Sequence, residues 1–473
     1  MTHSSSRRRL TSRVTRAVLA SVLLLLLTGA PGAQAADDGA PSAQDTETTT
    51  PIKHFVFLMQ ENHTFDNYFG TRPGVDGIPT GTCMPAYTGR RLPCVKPYHI
   101  GDEGVTDLDH TEAAFQAQYA DGAMNGFVRY FTDLDRPRSQ ADLTMGYYDE
   151  TDLPYYWNIA DNYVLFDRLF SSARGGSVQN HMYRVTGSPG YGTNESIPPG
   201  GWGNIPTIFD RLEESGISWK FYVQNYDRTI NFRTRDDVED ADRAAQVVWV
   251  PLLAYARFID DPELNSHIVD LREYYQDVQR GSLPSVAYIA PSGNSEHPPG
   301  SIQAGERFVR SLINELMKSR AWDSSAFFWS YDDWGGWYDH VKPPQVDKHG
   351  YGFRVPALLV SPYAKPGFVD HTTLDFTSAL KFIEENWGVD PLAARDRKAN
   401  NLTNAFDFDS PPRPAVILDE TRTEDAPQRP TVSWVYLGYV VIGLLALGAF
   451  WVTARRRTQD TSAVPHGEPE AAQ

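Results

Sequence analysis

A strand-length apolar run passes directly into polar residues in the sequence HFVFLMQENHTFDNYFG, which occupies positions 54–70. A run that is apolar at every position is typical of a strand buried on both faces, as in the middle of an α/β sheet. Glu61 and Asn62, two strong oxygen ligands, stand where that strand is predicted to end. Burying a carboxylate there is costly unless a cation meets it, so the pattern favours a bound metal ion. A metal in turn indicates chemistry on an anionic ester.

The composition is that of a globular protein with atypical ends. The 473 residues are 41% hydrophobic and 22% charged, which suffices for one large domain or two ordinary ones. Targeting segments at the two ends are set aside before the fold is considered. The predicted organisation is a signal peptide (1–35), a flexible leader (36–51), an extracellular domain (52–395), a Pro-rich stalk (396–430), a transmembrane helix (431–454) and a cytoplasmic tail (455–473).

Charge and hydropathy at the two ends predict a single-pass membrane protein. A basic stretch, a Leu-rich segment and the small-x-small site Ala33-Gln34-Ala35 form a secretory signal. The segment Ser6–Leu10 leaves both the general secretory and the twin-arginine route open. Near the other end, an uncharged run of bilayer length is followed at once by Arg455-Arg456-Arg457, and such residues stay on the cytoplasmic side. We therefore expect an extracellular catalytic domain anchored in the cell membrane, with a cytoplasmic C-terminus.

The acidic balance and the cysteine content limit the partners and the compartment. The formal net charge is −17 and no basic stripe is evident, which argues against nucleic acid as a partner. A phosphorylated substrate would be repelled at long range, so cations at the site must overcome that field. Cys83 and Cys94 are predicted to form a disulfide in an exported protein, and a metal or redox pair is the alternative.

Apolar runs alternate with amphipathic segments between residue 52 and about residue 395, which predicts an α/β fold. The strand candidates after the first are 162–167, 285–290, 326–330 and 355–360, and the helix candidates include 205–214, 304–322 and 373–387. Such alternation predicts a mainly parallel central sheet in a three-layer α/β/α sandwich. Ligands of these sheets bind beyond the carboxyl ends of the strands. The residues that this rule places at one edge are Glu61, Asn62, His297, Asp332 and Asp333.

Two further motifs carry candidate chemistry. Asp332-Asp333 follows a predicted strand, and adjacent carboxylates repel each other unless a cation lies between them. A solvated turn is the alternative, but the glycines in Trp334-Gly335-Gly336-Trp337 favour a close approach of the backbone to a ligand. Ser177 follows two glycines at a predicted helix start. It is an N-cap, a nucleophile at a helix N-terminus that favours an anion, or both.

Together these motifs resemble those of the bacterial phosphoesterases that include phospholipase C and related acid phosphatases, whose fold is related to that of alkaline phosphatase. The resemblance extends from Ile52 to about Asp390 and rests on segments 61–70, 176–180, 296–299, 331–341, 354–356 and 361–363. The sequence departs from the family pattern at two positions. The nucleophile, often Thr after Pro, is Ser177 after Gly here, and His181 replaces the Arg that commonly follows the Asn of the motif. These departures bear on substrate contacts more than on the reaction type.

The resemblance implies one divalent metal ion and a serine nucleophile. The implied ligands of the ion are Glu61, Asn62, Ser177, Asp332 and Asp333. The implied candidates for holding phosphate oxygens or protonating the leaving group are His110, His297 and His340. Oxygen ligands favour Mg²⁺, Ca²⁺ or Mn²⁺ and leave Zn²⁺ and Fe open.

The predicted activity is hydrolysis of phosphoric esters through a phosphoseryl intermediate, with an acid-phosphatase-like phosphomonoesterase as the first interpretation. A phospholipase C-type phosphodiesterase is the alternative, for which Trp334, Trp337 and Tyr338 could stack on a choline cation unless they serve core packing. The expected substrate is accordingly a small phosphate ester or a phospholipid head group. A phosphotransferase acting on envelope components is a third alternative. A membrane-anchored binding ectodomain without catalysis is the alternative from another class, although every implied position holds a competent residue.

Overall fold

The computed structural model describes residues 47–86, 94–102, 104–191 and 196–422. Within these ranges the chain forms a large sheet of eight strands and a small two-stranded sheet. In chain order the strands are β1 (His54–Gln60), β2 (Tyr98–His99), β3 (Gly146–Tyr147), β4 (Val164–Phe166), β5 (Trp219–Val223), β6 (Ile268–Asp270), β7 (Val286–Ala290), β8 (Ser325–Tyr331), β9 (Ala357–Val360) and β10 (Phe368–Asp370). Strands β2 and β3 form the small sheet.

Helices connect most of these strands. They are α1 (Phe65–Phe69), α2 (Glu112–Tyr119), α3 (Phe127–Asp133), α4 (Arg138–Leu143), α5 (Pro154–Asn162), α6 (Ser177–Thr186), α7 (Ile208–Glu214), α8 (Ala241–Ala244), α9 (Gln246–Trp249), α10 (Ala256–Asp260), α11 (Pro262–Ser266), α12 (Arg272–Arg280), α13 (Ile302–Met317), α14 (Phe376–Trp387) and α15 (Ala394–Lys398). The three helices and five strands predicted from the apolar pattern are all present, with ends shifted by a few residues.

The large sheet has the strand order β10-β4-β9-β8-β1-β7-β5-β6. Strand β9 is antiparallel to both of its neighbours, and the other pairs are parallel. The prediction of a mainly parallel sheet is confirmed. Strands β1 and β8 pair in register along their whole length, with Gln60 opposite Tyr331. The residues that follow these two strands therefore leave the sheet side by side, at its carboxyl edge.

Helices cover the sheet in two separate groups. Helix α6 contacts α7, α9 and α14, whereas α13 contacts α5 and α12. Every residue of β1 is buried, and side chains alternate between the faces of a strand, so both faces of the sheet centre are covered. Each large apolar side chain buried in this way contributes about 1.5–3 kcal/mol. The predicted three-layer α/β/α sandwich is confirmed.

The segment 396–422 corrects the predicted end of the extracellular domain. The sequence predicts the start of a stalk here, but Leu402 and Ala405 are completely buried in the main core. Further along, Arg413 Nη2 donates to the Ala364 carbonyl oxygen at 2.8 Å, and Arg422 Nη1 lies 2.8 Å from Asp161 Oδ2. The prolines of this segment are compatible with a chain that crosses a surface without forming helix or sheet. The domain therefore continues at least to residue 422.

Several of the predicted features concern the ends of the chain. The signal peptide, most of the leader, the membrane helix at 431–454 and the tail lie outside the described residues and stay predictions. Among the described residues, no helix combines the length and the apolar character needed to cross a bilayer. The predicted disulfide between Cys83 and Cys94 is present.

Candidate active site

The carboxyl edge of the sheet brings together the four acidic and amide residues predicted to bind metal. Glu61 and Asn62 follow β1, and Asp332 and Asp333 follow β8; none is more than 1% exposed. The backbone N–H of Asn62 donates to Asp332 Oδ1 at 3.0 Å. This bond is possible because Asn62 has a φ of 67°, which Asn tolerates better than most residues. The predicted meeting of these residues, which are distant in sequence, is confirmed as a geometry.

Ser177 begins helix α6 beside this group. Gly176 is the N-cap and Ser177 the first helical residue, so the N-cap interpretation of Ser177 is wrong by one position. The Ser177 hydroxyl donates to Glu61 Oε2 at 3.3 Å. A Cβ on Gly176 would lie 3.7 Å from Asp333 Oδ2, so the start of the helix lies against the carboxylates. The free N–H groups at this end of a ten-residue helix favour an anion.

The Asn62 amide has two orientations with different implications. One end lies 3.3 Å from Asp332 Oδ1 and 3.2 Å from Asp333 Oδ1, and the other end lies 3.0 Å from His297 Nε2. With nitrogen towards the carboxylates, the amide donates to both of them. With oxygen towards them, three acceptor oxygens face one another, which is stable only around a cation. The second orientation leaves the amide nitrogen to donate to a neutral His297.

The carboxylates of the group lack sufficient partners. Asp332 Oδ2 and Asp333 Oδ2 are buried without a hydrogen-bond partner in the described structure. Burial, together with the charges of Asp332 and Asp333, raises the pKa of Glu61, and burial and Asp332 raise the pKa of Asp333. Unpaired buried carboxylate oxygens fit a divalent cation, which would supply the missing charge. The residues that would hold it are Glu61, Asn62, Ser177, Asp332 and Asp333.

Two of the three predicted histidines lie at this group. His110 Nδ1 lies 2.7 Å from the Leu108 carbonyl oxygen, and His297 Nδ1 lies 2.8 Å from that of Pro298. A carbonyl only accepts, so each ring carries a proton on Nδ1 and directs Nε2 towards Asn62. Burial opposes the charge on His110, but the Asp333 and Asp107 carboxylates overcome it and raise the pKa of His110 to about 9. Both rings can therefore present Nε2 to a bound oxyanion.

The third histidine, His340, does not lie at the site, and its predicted catalytic role is corrected. Its Nδ1 lies 2.7 Å from Asp66 Oδ2 and its Nε2 lies 3.2 Å from Asp76 Oδ1, so both nitrogens are engaged. Buried Arg354 donates to Asp66 and Asp339 in the same network. These contacts tie the segment after β1 to the loops after β8, which gives the Arg354 motif a structural role.

Trp334, Trp337 and Tyr338 belong to a second, smaller core and not to a choline site. The two tryptophans are completely buried and Tyr338 is 9% exposed. They pack with Phe353 and the inner faces of α2 and α3. Trp334 Nε1 donates to Gln118 Oε1 at 2.7 Å, which also satisfies its polar atom. The burial of these aromatics therefore supports the packing explanation over stacking on a choline cation.

The roles of three buried groups near the site were not predicted from the sequence. His181 Nε2 lies 2.8 Å from Glu61 Oε1, and burial together with Arg184 lowers the pKa of His181 well below its usual range. Arg184, also buried, lies within electrostatic reach of Glu61 and Asp332. Glu296 accepts hydrogen bonds from three tyrosine hydroxyls, and burial raises its pKa to about 7. The signal for the first two was their spacing from Ser177 by four and seven residues, which places all three on one helix face.

The group opens into a cleft of about 970 Å³. Its lining includes Glu61, Ser177, His110 and His297, together with the segment 293–301. The remaining lining is mixed, with apolar side chains beside carboxylates: Phe131, Val178, Val248, Trp249, Asp107, Asp109 and Asp242. The cleft is therefore larger than a phosphate group alone requires.

Substitution of Gly335 by alanine is expected to damage both the site and the fold. Gly335 has a φ of +59°, and a Cβ there would lie 2.1 Å from the Asn62 carbonyl oxygen. Backbone must shift to relieve this contact, and Asn62 would move with it. We expect Gly335→Ala to lower the free energy of unfolding by about 3 kcal/mol, measured by urea denaturation.

Gly281→Ala is the matched control for this substitution. Gly281 also has a positive φ, of +74°, but a Cβ added there would have no atom within 4 Å. Its substitution should cost only the conformational strain, about 1 kcal/mol. Equal losses in the two variants would show that the close approach at Asn62 has no energetic importance.

Comparison with known proteins defines the class. A family model described as the Phosphoesterase family matches residues 52–390. The chain belongs to this family and is a hydrolase of phosphoric esters. It is 28% identical to "Phospholipase C B" of Mycobacterium tuberculosis over 452 residues, covering 80% of this chain and 82% of that protein. It is 26% identical to "Non-hemolytic phospholipase C" of Pseudomonas aeruginosa, with 85% and 65% covered. A third relative is "Non-specific phospholipase C1" of Arabidopsis thaliana, 28% identical, with 75% and 68% covered.

Solved structures give weaker likenesses. A Vibrio parahaemolyticus protein described as in the alkaline phosphatase superfamily has a TM-score of 0.33 at 12% identity, with 73% of this chain and 68% of that chain covered. The lipoteichoic acid synthase LtaP from Listeria monocytogenes has a TM-score of 0.35 at 9% identity, with 71% and 72% covered. Likenesses this weak carry no functional argument.

Proposed function

We propose that the chain is a phosphodiesterase of the phospholipase C type. The sequence interpretation puts a phosphomonoesterase first, but relatives from bacteria and a plant carry the name phospholipase C. The observation that carries the proposal is the charge of the cleft. Among the described lining residues, Arg136 is the only Lys or Arg, beside five carboxylates: Glu61, Asp107, Asp109, Asp242 and Glu296.

That charge distribution favours a diester over a monoester. A phosphomonoester carries close to two negative charges at neutral pH, whereas a diester carries one. Binding the second charge would require additional cations, since carboxylates at Asp107, Asp109 and Asp242 repel it. The same carboxylates would attract a cationic head group. The apolar side chains of Phe131, Val248 and Trp249 offer contact to a less polar part of the substrate.

The proposed reaction begins with attack by Ser177. Its hydroxyl would pass its proton to Glu61, which accepts its hydrogen bond. The serine oxygen would then displace the ester oxygen at phosphorus in line, forming a phosphoseryl ester and releasing the alcohol. The α6 N–H groups would hold phosphate oxygens as charge develops on them. A divalent cation held by the neighbouring carboxylates would supply Lewis-acid stabilisation and lower the pKa of the serine hydroxyl.

His110 and His297 would complete the reaction through proton transfer. Each is held at Nδ1 by a carbonyl oxygen and offers Nε2 to the site. When doubly protonated, either ring could donate its Nε2 proton to the departing alcohol oxygen. The neutral ring could then accept a proton from the water that hydrolyses the phosphoseryl ester. Loss of the second product would return the serine hydroxyl.

A substrate comparison on the full-length chain tests this function. We expect phosphatidylcholine and the soluble diester p-nitrophenyl phosphorylcholine to be hydrolysed with kcat/KM at least about tenfold above that of p-nitrophenyl phosphate, equivalent to about 1.4 kcal/mol. Activity should disappear with a chelator and return with a divalent metal. Faster hydrolysis of the monoester would overturn the proposal and restore the phosphomonoesterase interpretation.

A further inference from the structure

His181 lies one helical turn beyond Ser177 and is directed at the same carboxylates. Both residues are on α6, and residues four apart share one face of a helix. The ring of His181 is completely buried, with Nε2 2.8 Å from Glu61 Oε1 and 4.0 Å from Asp332 Oδ2. The potential metal-ligand atoms of His181, Glu61 and Asp332 all lie within 4.8 Å of one another. His181 therefore contacts the acidic group from within the protein interior.

The distances suit a shared ion. Ligand atoms that each lie about 2.0–2.2 Å from one ion are separated by about 3 Å at right angles and by no more than about 4.4 Å. The separations of His181 Nε2 from Glu61 and Asp332, 2.8 and 4.0 Å, fall close to this range. The Asn62 amide end that faces Asp332 and Asp333, at 3.3 and 3.2 Å, does so as well.

We propose that His181 is a nitrogen ligand of the metal centre, so that the centre selects a transition ion suited to imidazole, such as Fe²⁺ or Zn²⁺, over Mg²⁺ or Ca²⁺. The proposal deepens the proposed function and rests on the same metal site. Mg²⁺ and Ca²⁺ prefer oxygen ligands, whereas imidazole suits Zn²⁺ and Fe²⁺. Oxygen ligands alone leave the identity of the metal open. A nitrogen ligand at His181 reduces the number of candidate ions.

The other nitrogen of the ring allows this role. Nδ1 of His181 is buried and has no hydrogen-bond partner in the part of the chain that the structure describes. No contact at Nδ1 prevents that nitrogen from carrying the ring proton instead of Nε2. In the described structure Nε2–H donates to Glu61, and with the proton on Nδ1 the lone pair of Nε2 would be free for an ion. The competing explanation is that His181 only orients Glu61 by this hydrogen bond while oxygens alone bind the ion.

Metal binding by the full-length chain separates the two explanations without an activity assay. Dissociation constants for Zn²⁺, Mn²⁺, Mg²⁺ and Ca²⁺ are measured by chelator competition for wild type and His181→Gln. Glutamine keeps a donor for Glu61 but removes the imidazole. We expect the variant to lose at least about tenfold in affinity for Zn²⁺, with less than about threefold change for Mg²⁺. Equal losses for all four ions, or no loss, would overturn the proposal.

A matched variant and a spectroscopic measurement complete the experiment. His267→Gln is the control, because His267 precedes β6, the strand at one lateral end of the sheet. Pulsed electron paramagnetic resonance of the Mn²⁺-loaded wild type should show coupling to a directly bound nitrogen. Its absence would overturn the proposal even if His181→Gln does not fold. Hydrolysis of diesters by a wild type without nitrogen coupling would leave the proposed function intact, whereas failure to bind any of the four ions would overturn both.

Discussion

Replacement of Ser177 by alanine is expected to reduce kcat for a phosphodiester at least about 10³-fold while the protein remains folded. The hydroxyl lies 3.3 Å from Glu61 Oε2 at the N-terminus of α6, and no other hydroxyl among the described cleft residues combines these positions. The side chain is only partly buried, so its loss leaves no large cavity. The measurement is steady-state hydrolysis of p-nitrophenyl phosphorylcholine, with thermal unfolding to confirm the fold.

Ser188→Ala is the control for that substitution. Ser188 follows the other end of α6, where its hydroxyl lies 3.1 Å from that of Thr186, and it lines no part of the described cleft. This variant should retain wild-type kcat. Trapping of a phosphorylated protein on rapid quenching, seen in wild type but not in Ser177→Ala, would support the covalent intermediate directly. Full activity of Ser177→Ala would remove the serine from the mechanism.

Replacement of Asp333 by asparagine is expected to stabilise the metal-free protein and to abolish stabilisation by metal. Asp333 Oδ2 is buried without a partner among the described residues, and Asp332 lies beside it. Removing one of these mutually repelling charges should raise the free energy of unfolding in chelator by about 1–3 kcal/mol. The same change removes a metal ligand, so the increase in melting temperature that metal gives wild type through mass action should be lost.

The pH dependence provides a second measurement of this effect. The pKa values of Glu61 and Asp333 are raised in the folded chain, so the folded state binds more protons than the unfolded state above their ordinary range. Stability of the chelated protein should therefore fall as pH rises from about 5 to about 8, and Asp333→Asn should reduce the slope. Thermal unfolding in chelator across this range tests the sign.

Asp277→Asn is a control that is expected to change the free energy of unfolding in the opposite direction. Asp277 is also buried, but it accepts from Lys220 Nζ and the Tyr222 hydroxyl, each at 2.7 Å. Its substitution should destabilise the protein both with and without metal. If Asp333→Asn behaved like Asp277→Asn in chelator, the acidic group would be compensated by protein charges alone and the case for a bound cation would weaken.

The fold was largely predictable because its central strands are mostly apolar and are buried along their whole length. The run at 54–59 is typical of a strand buried on both faces, and the strand that ends before Asp332 is also buried at every position. Short strands such as β6 and β10, each of three residues, carry too few positions to show a pattern. The antiparallel direction of β9 was also not predicted, since it depends on the course of the loop 332–356 and not on composition.

The site was predictable in part. Register places Glu61 beside Asp332, and register follows from the hydrophobic pattern of two paired strands. His340 was misplaced because its neighbour Asp339 engages Arg354, a partner 15 residues further on that sequence proximity to the metal motif does not reveal. Trp334 and Trp337 were ambiguous for a similar reason, since only the fold of α2 and α3 shows that they are covered.

If the predicted membrane anchor is correct, the packing of residues 396–422 against the domain would limit the reach of the enzyme. If the predicted membrane helix at 431 is correct, the tether consists of the eight residues 423–430. At about 3.5 Å per extended residue it spans at most about 28 Å, whereas 35 residues starting at 396 would have spanned about 120 Å. Such a short tether would confine the domain to the zone next to its own bilayer, where lipid head groups are concentrated and soluble esters are not.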